Sequence, residues 1–142
     1  MVALLLAGLA AGSTKPLLIS FDSDPVGKVP ARFRSALTGQ GTRGAWVVKQ
    51  DPTAPSKPNV LAQTSTDTTD YRFPLAILEE GSFKDLDLSV MFKAVAGKVD
   101  QAGGLVFRLQ DENNYYLVRA NALEDNYRLY KVIAGRRRQF AG

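Results

Sequence analysis

Residues 103–132, GGLVFRLQDENNYYLVRANALEDNYRLYKV, interleave arginine, tyrosine and asparagine with apolar residues. Arg108, Tyr115, Arg119, Asn121 and Tyr130 fall within segments that otherwise look like core strand. A guanidinium or carboxamide there must reach solvent or line a site, because burying a charge without a partner is costly. Successive side chains of a strand point to opposite faces. Tyr115, Arg119 and Asn121 therefore share one face, with Leu117 among them, and Tyr116, Val118 and Ala120 share the other. We expect Tyr116 in the core and the Tyr115–Arg119–Asn121 stripe on a wetter face. Flat aromatic rings stack on sugar rings, while Arg and Asn donate hydrogen bonds to hydroxyls or a carboxylate. The alternative is a set of ordinary cross-strand pairs on a solvated face.

A second arrangement capable of chemistry is Asp85 with Asp87 in FKDLDLSVMFK, residues 83–93. Two apart on a strand, both carboxylates project from one face, and glycosidases cleave with a pair of carboxyls. A solvated strand face is the competing interpretation, and Ser89 stands where a third acid of an alternating array would be. GQGTRG, residues 39–44, matches the dinucleotide fingerprint in letters only. The fingerprint needs a strand before it and a helix after it. Here AWVVKQDP follows, a β-type run ending in proline, so a loop is expected. Trp46 in that run is expected in the core or at a sheet edge.

The chain has no cysteine and no histidine, which removes disulfides, thiolate chemistry, imidazole bases and His-ligated metals. Catalysis would rest on carboxylates, Tyr, Lys or Arg. No cofactor is expected, and the metal chemistry left open is an oxygen-liganded cation such as a structural calcium. The net charge of +4 owes much to GRRR, residues 135–138, which is expected as a solvated turn. The basic residues form no stripe around a known motif, so no nucleic-acid partner is expected.

At 142 residues, 45% hydrophobic and 23% charged, the chain suits one globular domain with a real core. Strands are expected in LLISFDSD (17–24), ending in a turn at Asp22–Pro25, and at AWVVKQ (45–50), NVLAQT (59–64), YRFPLAIL (71–78) and 83–93, then three across 103–132. Residues 25–44 carry glycine, proline and little periodicity, and are expected as a long loop. Pro74 assigns its strand to an edge or a bulge. In 83–93, Leu86, Leu88, Val90 and Phe92 share one face. No window has helical periodicity, so the chain is expected to be an all-β sandwich or barrel. Residues 1–13, MVALLLAGLAAGS, have the length and small residues of a signal peptide, although no Lys or Arg precedes the run. A buried first strand or helix is the alternative, and the run is too short to span a bilayer.

The segment DQAGGLVFRLQDENNYYLVRANALEDNYRLYKVIAGRRR, with FPLAIL and LSVMFK upstream, resembles the bacterial 3-keto-disaccharide hydrolase domain family. That family belongs to the concanavalin A-like lectin/glucanase superfamily, and the resemblance runs from about Phe21 to the C-terminus. It implies a jelly-roll β-sandwich of two antiparallel sheets over residues 14–142, exported to the periplasm or outside, acting on or binding a glycan or small saccharide. Family members continue with further strands, so the sandwich is expected to be incomplete and the chain the N-terminal portion of a longer product. The resemblance assigns no catalytic position; by residue type Asp85, Asp87 and Asp111 are the candidate catalytic acids, and Arg108, Tyr115, Arg119, Asn121 and Tyr130 the candidate ligand contacts. A non-catalytic lectin-like module and a laminin-G-like protein-interaction domain are the alternatives.

Overall fold

The computed structural model describes residues 2–5 as backbone, and residues 16–56 and 58–142 in full. It is all-β, with no helix among the described residues. The strands are β1 (Val2–Leu5), β2 (Phe33–Gly39), β3 (Trp46–Gln50), β4 (Asn59–Gln63), β5 (Arg72–Leu78), β6 (Ser89–Phe92), β7 (Ala102–Asp111), β8 (Asn114–Asn121), β9 (Asn126–Ile133) and β10 (Arg136–Ala141). They form antiparallel sheets in the orders β3-β4-β1-β6, β10-β9-β8-β7 and β2-β5.

The β2–β5 ribbon organises the molecule because it is apolar on both faces. Phe33, Ala76 and Leu78 join Ile19, Phe21, Val48 and Leu61 in one core. Ala36, Leu75 and Ile77 join Tyr115, Val132, Val106, Leu109 and Leu117 in a second. Strand neighbours such as Leu75 and Ala76 point oppositely, so FPLAIL, which does not alternate, feeds both cores. The large side chains buried outright among these, such as Phe33, Val48, Leu61 and Val132, contribute roughly 1.5–3 kcal/mol each. Pro74 has no N–H to donate, and it sits opposite Leu37 in a ribbon where both strands are edges.

Three expected boundaries shift. Residues 17–21 are not strand, although the turn after them forms at Asp22, and Ile19 and Phe21 are buried, with the Phe21 and Phe33 rings 5.8 Å apart. Strand β2 lies inside the expected long loop, because its inward positions Phe33, Ala36 and Thr38 include a small and a polar residue. Strand in 83–93 is confined to β6, yet the expected face holds for Leu88, Val90 and Phe92, each half-buried between exposed neighbours, while Leu86 is exposed. GRRR is likewise not a turn: Gly135 turns the chain and Arg136–Arg138 begin β10. Of the expected export segment, Val2–Leu5 forms β1 against β4 and β6, while residues 6–13 lie outside the described residues.

Candidate functional site

The β7–β10 sheet carries almost all the residues singled out in the sequence, and its register separates them. Residues directly opposite on paired strands point to the same face. On the face turned toward β2–β5 stand Tyr115–Val132–Arg137, Val106–Leu117–Tyr130–Gln139 and Gly104–Arg119–Arg128. On the other face stand Phe107–Tyr116–Lys131–Arg138 and Leu105–Val118–Leu129–Ala141.

The expected orientation of β8 is therefore reversed. Tyr115 is 2% exposed, Arg119 7% and Asn121 2%, whereas Tyr116 is 37% exposed. The β2–β5 ribbon covers the face that the polar residues suggested was wet. Tyr115 keeps a buried hydroxyl by pairing it with Thr38 Oγ1 at 2.8 Å, and Thr38 Oγ1 donates to the Glu112 carbonyl at 2.5 Å. Burial is the main influence on this phenol and raises its pKa, partly opposed by the Thr38 hydrogen bond.

Arg119 and Asn121 hold the ends of the sheet together. Arg119 Nη2 donates to Glu124 Oε2 and to Asn126 Oδ1, both at 2.8 Å, and Nη1 lies 3.8 Å from Asp100. Its guanidinium also lies 5.5 Å from the centre of the Tyr130 ring. Arg137 sits 4.6 Å from the same ring and 4.1 Å from the Phe73 ring, so Tyr130 is enclosed by cations rather than open to a sugar. Asn121 Nδ2 donates to Asp100, and its Oδ1 accepts from the Gln101 and Leu123 N–H groups. Arg119 and Arg128 are directly opposite, a destabilising placement for like charges. Glu124 offsets it: hydrogen bonds from Asn126 and Arg119, and then the charges of Arg119 and Arg128, hold its carboxyl below the usual range.

The candidate acids do not gather. Asp85 and Asp87 are exposed in the connection between β5 and β6. Asp111 closes the β7–β8 turn, accepting from the Asn113 N–H at 2.7 Å and from Asn114 Nδ2 at 2.9 Å. Among the described residues no group of three or more acids could hold a metal ion. GQGTRG is a loop held by Asp67, whose Oδ2 accepts from the Thr42 N–H and hydroxyl, and no helix follows it. A side chain at Gly39 would collide with the Tyr71 carbonyl, so the first glycine serves close backbone approach. Trp46 packs against the first core from the edge strand β3.

What the sequence did not single out is the open face of the same sheet. Phe107 and Tyr116 stack there with centroids 5.7 Å apart, and Phe140 meets Tyr116 edge-on at 6.1 Å. Phe140 is 53% exposed and Tyr127, on the same face, 68%. Beside them a cleft of about 230 Å³ is floored by Gly103, Leu105, Val118 and Ala120, with Leu88, Val90 and Phe92 of the β6 region as its wall. Gly103 must lack a side chain, because a Cβ would sit 2.7 Å from the Phe92 ring. Arg108, exposed and in the left-handed region at φ 50°, marks the bulge that builds the platform. Between the pairs Phe107–Tyr116 and Asp111–Asn114, three residues of β7 face one of β8. An unbulged hairpin would set Phe107 opposite Val118. A legible sign was the aromatic pair on neighbouring strands, but the bulge that aligns it leaves no alternation pattern. Comparison with protein-family models, curated proteins and solved structures gives no match to this chain.

Proposed function

We propose that this chain is a glycan-binding β-sandwich module of the concanavalin A-like, jelly-roll kind, exported from the cell, and that it holds sugar on the open face of β7–β10. The observation that carries the proposal is the stacked Phe107–Tyr116 pair, joined edge-on by Phe140, on the part of this face beyond the β6 wall, where Tyr116 and Phe140 are exposed. Contiguous exposed apolar surface of this kind marks interaction sites. A pyranose ring presents an apolar C–H face edged by hydroxyls. Aromatic rings take the first, and the neighbouring Lys131 and Arg138 donate to the second. Asp85, Asp87 and Asp111 do not line the cleft on this face, so the proposal is recognition of a glycan rather than its cleavage.

A glycan array probed with the full chain and with Tyr116→Ala tests the proposal. Binding that falls at least tenfold in the variant, with the fold retained by circular dichroism, is the expected result. Binding unchanged in Tyr116→Ala, or no glycan retained by the wild-type chain, would refute it. Hydrolysis of a 3-keto-glucoside by the wild-type chain would instead return the activity to the candidate acids.

A further inference from the structure

Strands β7–β10 contain a single carboxylate, Asp111, against seven cations: Arg108, Arg119, Arg128, Lys131, Arg136, Arg137 and Arg138. On the inner face this excess is met from the turns, by Asp100 and Glu124 on Arg119 and by the aromatic rings around Arg137. Nothing equivalent serves the open face. Lys131 and Arg138 continue the Phe107–Tyr116 row across β9 and β10, and Arg136 stands opposite Ile133 on the same side. Among the described residues none of these three cations has a carboxylate partner, and Asp111 is engaged by Asn113 and Asn114. Strand spacing sets the scale of the row: three gaps of about 4.8 Å carry it about 14 Å from Phe107 to Arg138.

Resting on the glycan-binding proposal, we infer that the sugar polymer taken by the open face is anionic, bearing carboxylate or sulfate groups. A ring lying on Tyr116 places its charged substituent one strand over, at Lys131, and the next at Arg138. Arginine suits either group because its planar fork pairs with two oxygens at once. A neutral glycan would leave two or three cations beside the ring with water as their only partner. Uronates and sulfated sugars share the required chemistry, and single-stranded nucleic acid shares part of it, since its bases stack and its backbone is anionic.

The full chain is titrated at low salt with dextran, dextran sulfate, alginate and a single-stranded oligonucleotide, and the titrations are repeated with Lys131→Gln/Arg138→Gln and with Tyr116→Ala. The expected outcome is affinity for dextran sulfate or alginate at least tenfold above that for dextran. The double variant should lose most of that margin, its affinity for the anionic polymers falling far more than its affinity for dextran, and Tyr116→Ala should weaken every polymer. Which anionic polymer binds better separates sulfate from carboxylate recognition. Equal affinity for dextran and the anionic polymers would overturn the inference and leave the glycan proposal standing. Anionic binding that ignores Tyr116→Ala would be ion exchange on a basic chain, and would overturn it too. Tighter binding of the oligonucleotide than of any polysaccharide would overturn it in favour of nucleic acid. Binding of no polymer at all would remove both proposals.

Discussion

Replacing Arg119 by methionine separates a structural role for this arginine from a ligand-binding one. Its Nη2 makes two hydrogen bonds at 2.8 Å, one to a carboxylate that is 46% exposed. Hydrogen bonds to charged groups contribute about 1.5–3 kcal/mol when buried, and the wet carboxylate reduces this to about 1 kcal/mol per bond. The contact with the Tyr130 ring adds about 0.5–1 kcal/mol. Against this, Nε is buried without a partner, and the variant relieves that cost and the repulsion from Arg128, together about 1 kcal/mol. The balance is a destabilisation of about 2 kcal/mol, or a fall in Tm of roughly 6–8 °C for a domain of this size. Urea titration followed by the fluorescence of the single tryptophan, Trp46, measures it directly. Below the transition, Arg119→Met should bind glycan as the wild type does. An unchanged midpoint with binding lost would refute the structural role, and would return Arg119 to the ligand surface that its sequence context suggested.

Two further outcomes follow from the buried hydrogen bonds and the acidic turns. Thr38→Val strands the Tyr115 hydroxyl and the Glu112 carbonyl and should cost about 1–3 kcal/mol, whereas Tyr115→Phe leaves Thr38 its bond to Glu112 and should cost about 1 kcal/mol. The double variant should cost clearly less than the sum, and strict additivity by denaturant titration would contradict the pairing. Acid should unfold the protein early. Asp51, bonded first by the Thr53 hydroxyl and N–H and then by Lys93, has its carboxyl lowered to about 2, and Thr42 and Thr69 hold Asp67 well below the usual range. Both shifts are downward, so their stabilisation is present above about pH 4 and is lost as pH falls through about 2. Melting temperature should drop across that window and drop less in Asp67→Asn; a flat profile from pH 5 to pH 2.5 would show that these bonds do not hold the loops.

Residues far apart in the chain, more than local pattern, account for where the sequence and the structure part. Alternation in β8 correctly grouped Tyr115, Leu117, Arg119 and Asn121 on one face, because period two is a property of the extended backbone. It placed that group on the wrong side. Strand β2, which covers Tyr115 through Ala36 and Thr38, lies about 77 residues earlier, and the small and the polar residue on that face give its sequence no strand pattern. Without that cover in view, a stripe of Tyr, Arg and Asn looks wet. The candidate ligand residues Arg119, Asn121 and Tyr130 do come together, but in a network that has its own acids and amides as partners, and Tyr115 is buried apart from it against Thr38.

The sequence by itself determined the class of the molecule. Missing helical periodicity, β-rich runs and Asn/Asp turns specify an all-β chain, and the absence of Cys and His limits its chemistry whatever the fold. The tertiary structure decided which face is open. A strand's pattern says which side chains travel together, whereas burial depends on what packs against the sheet, and that contact is non-local. The same holds for the aromatic platform: Phe107 meets Tyr116 because a bulge at Arg108 shifts the register by two residues, a choice made by pairing between strands and not by either strand alone.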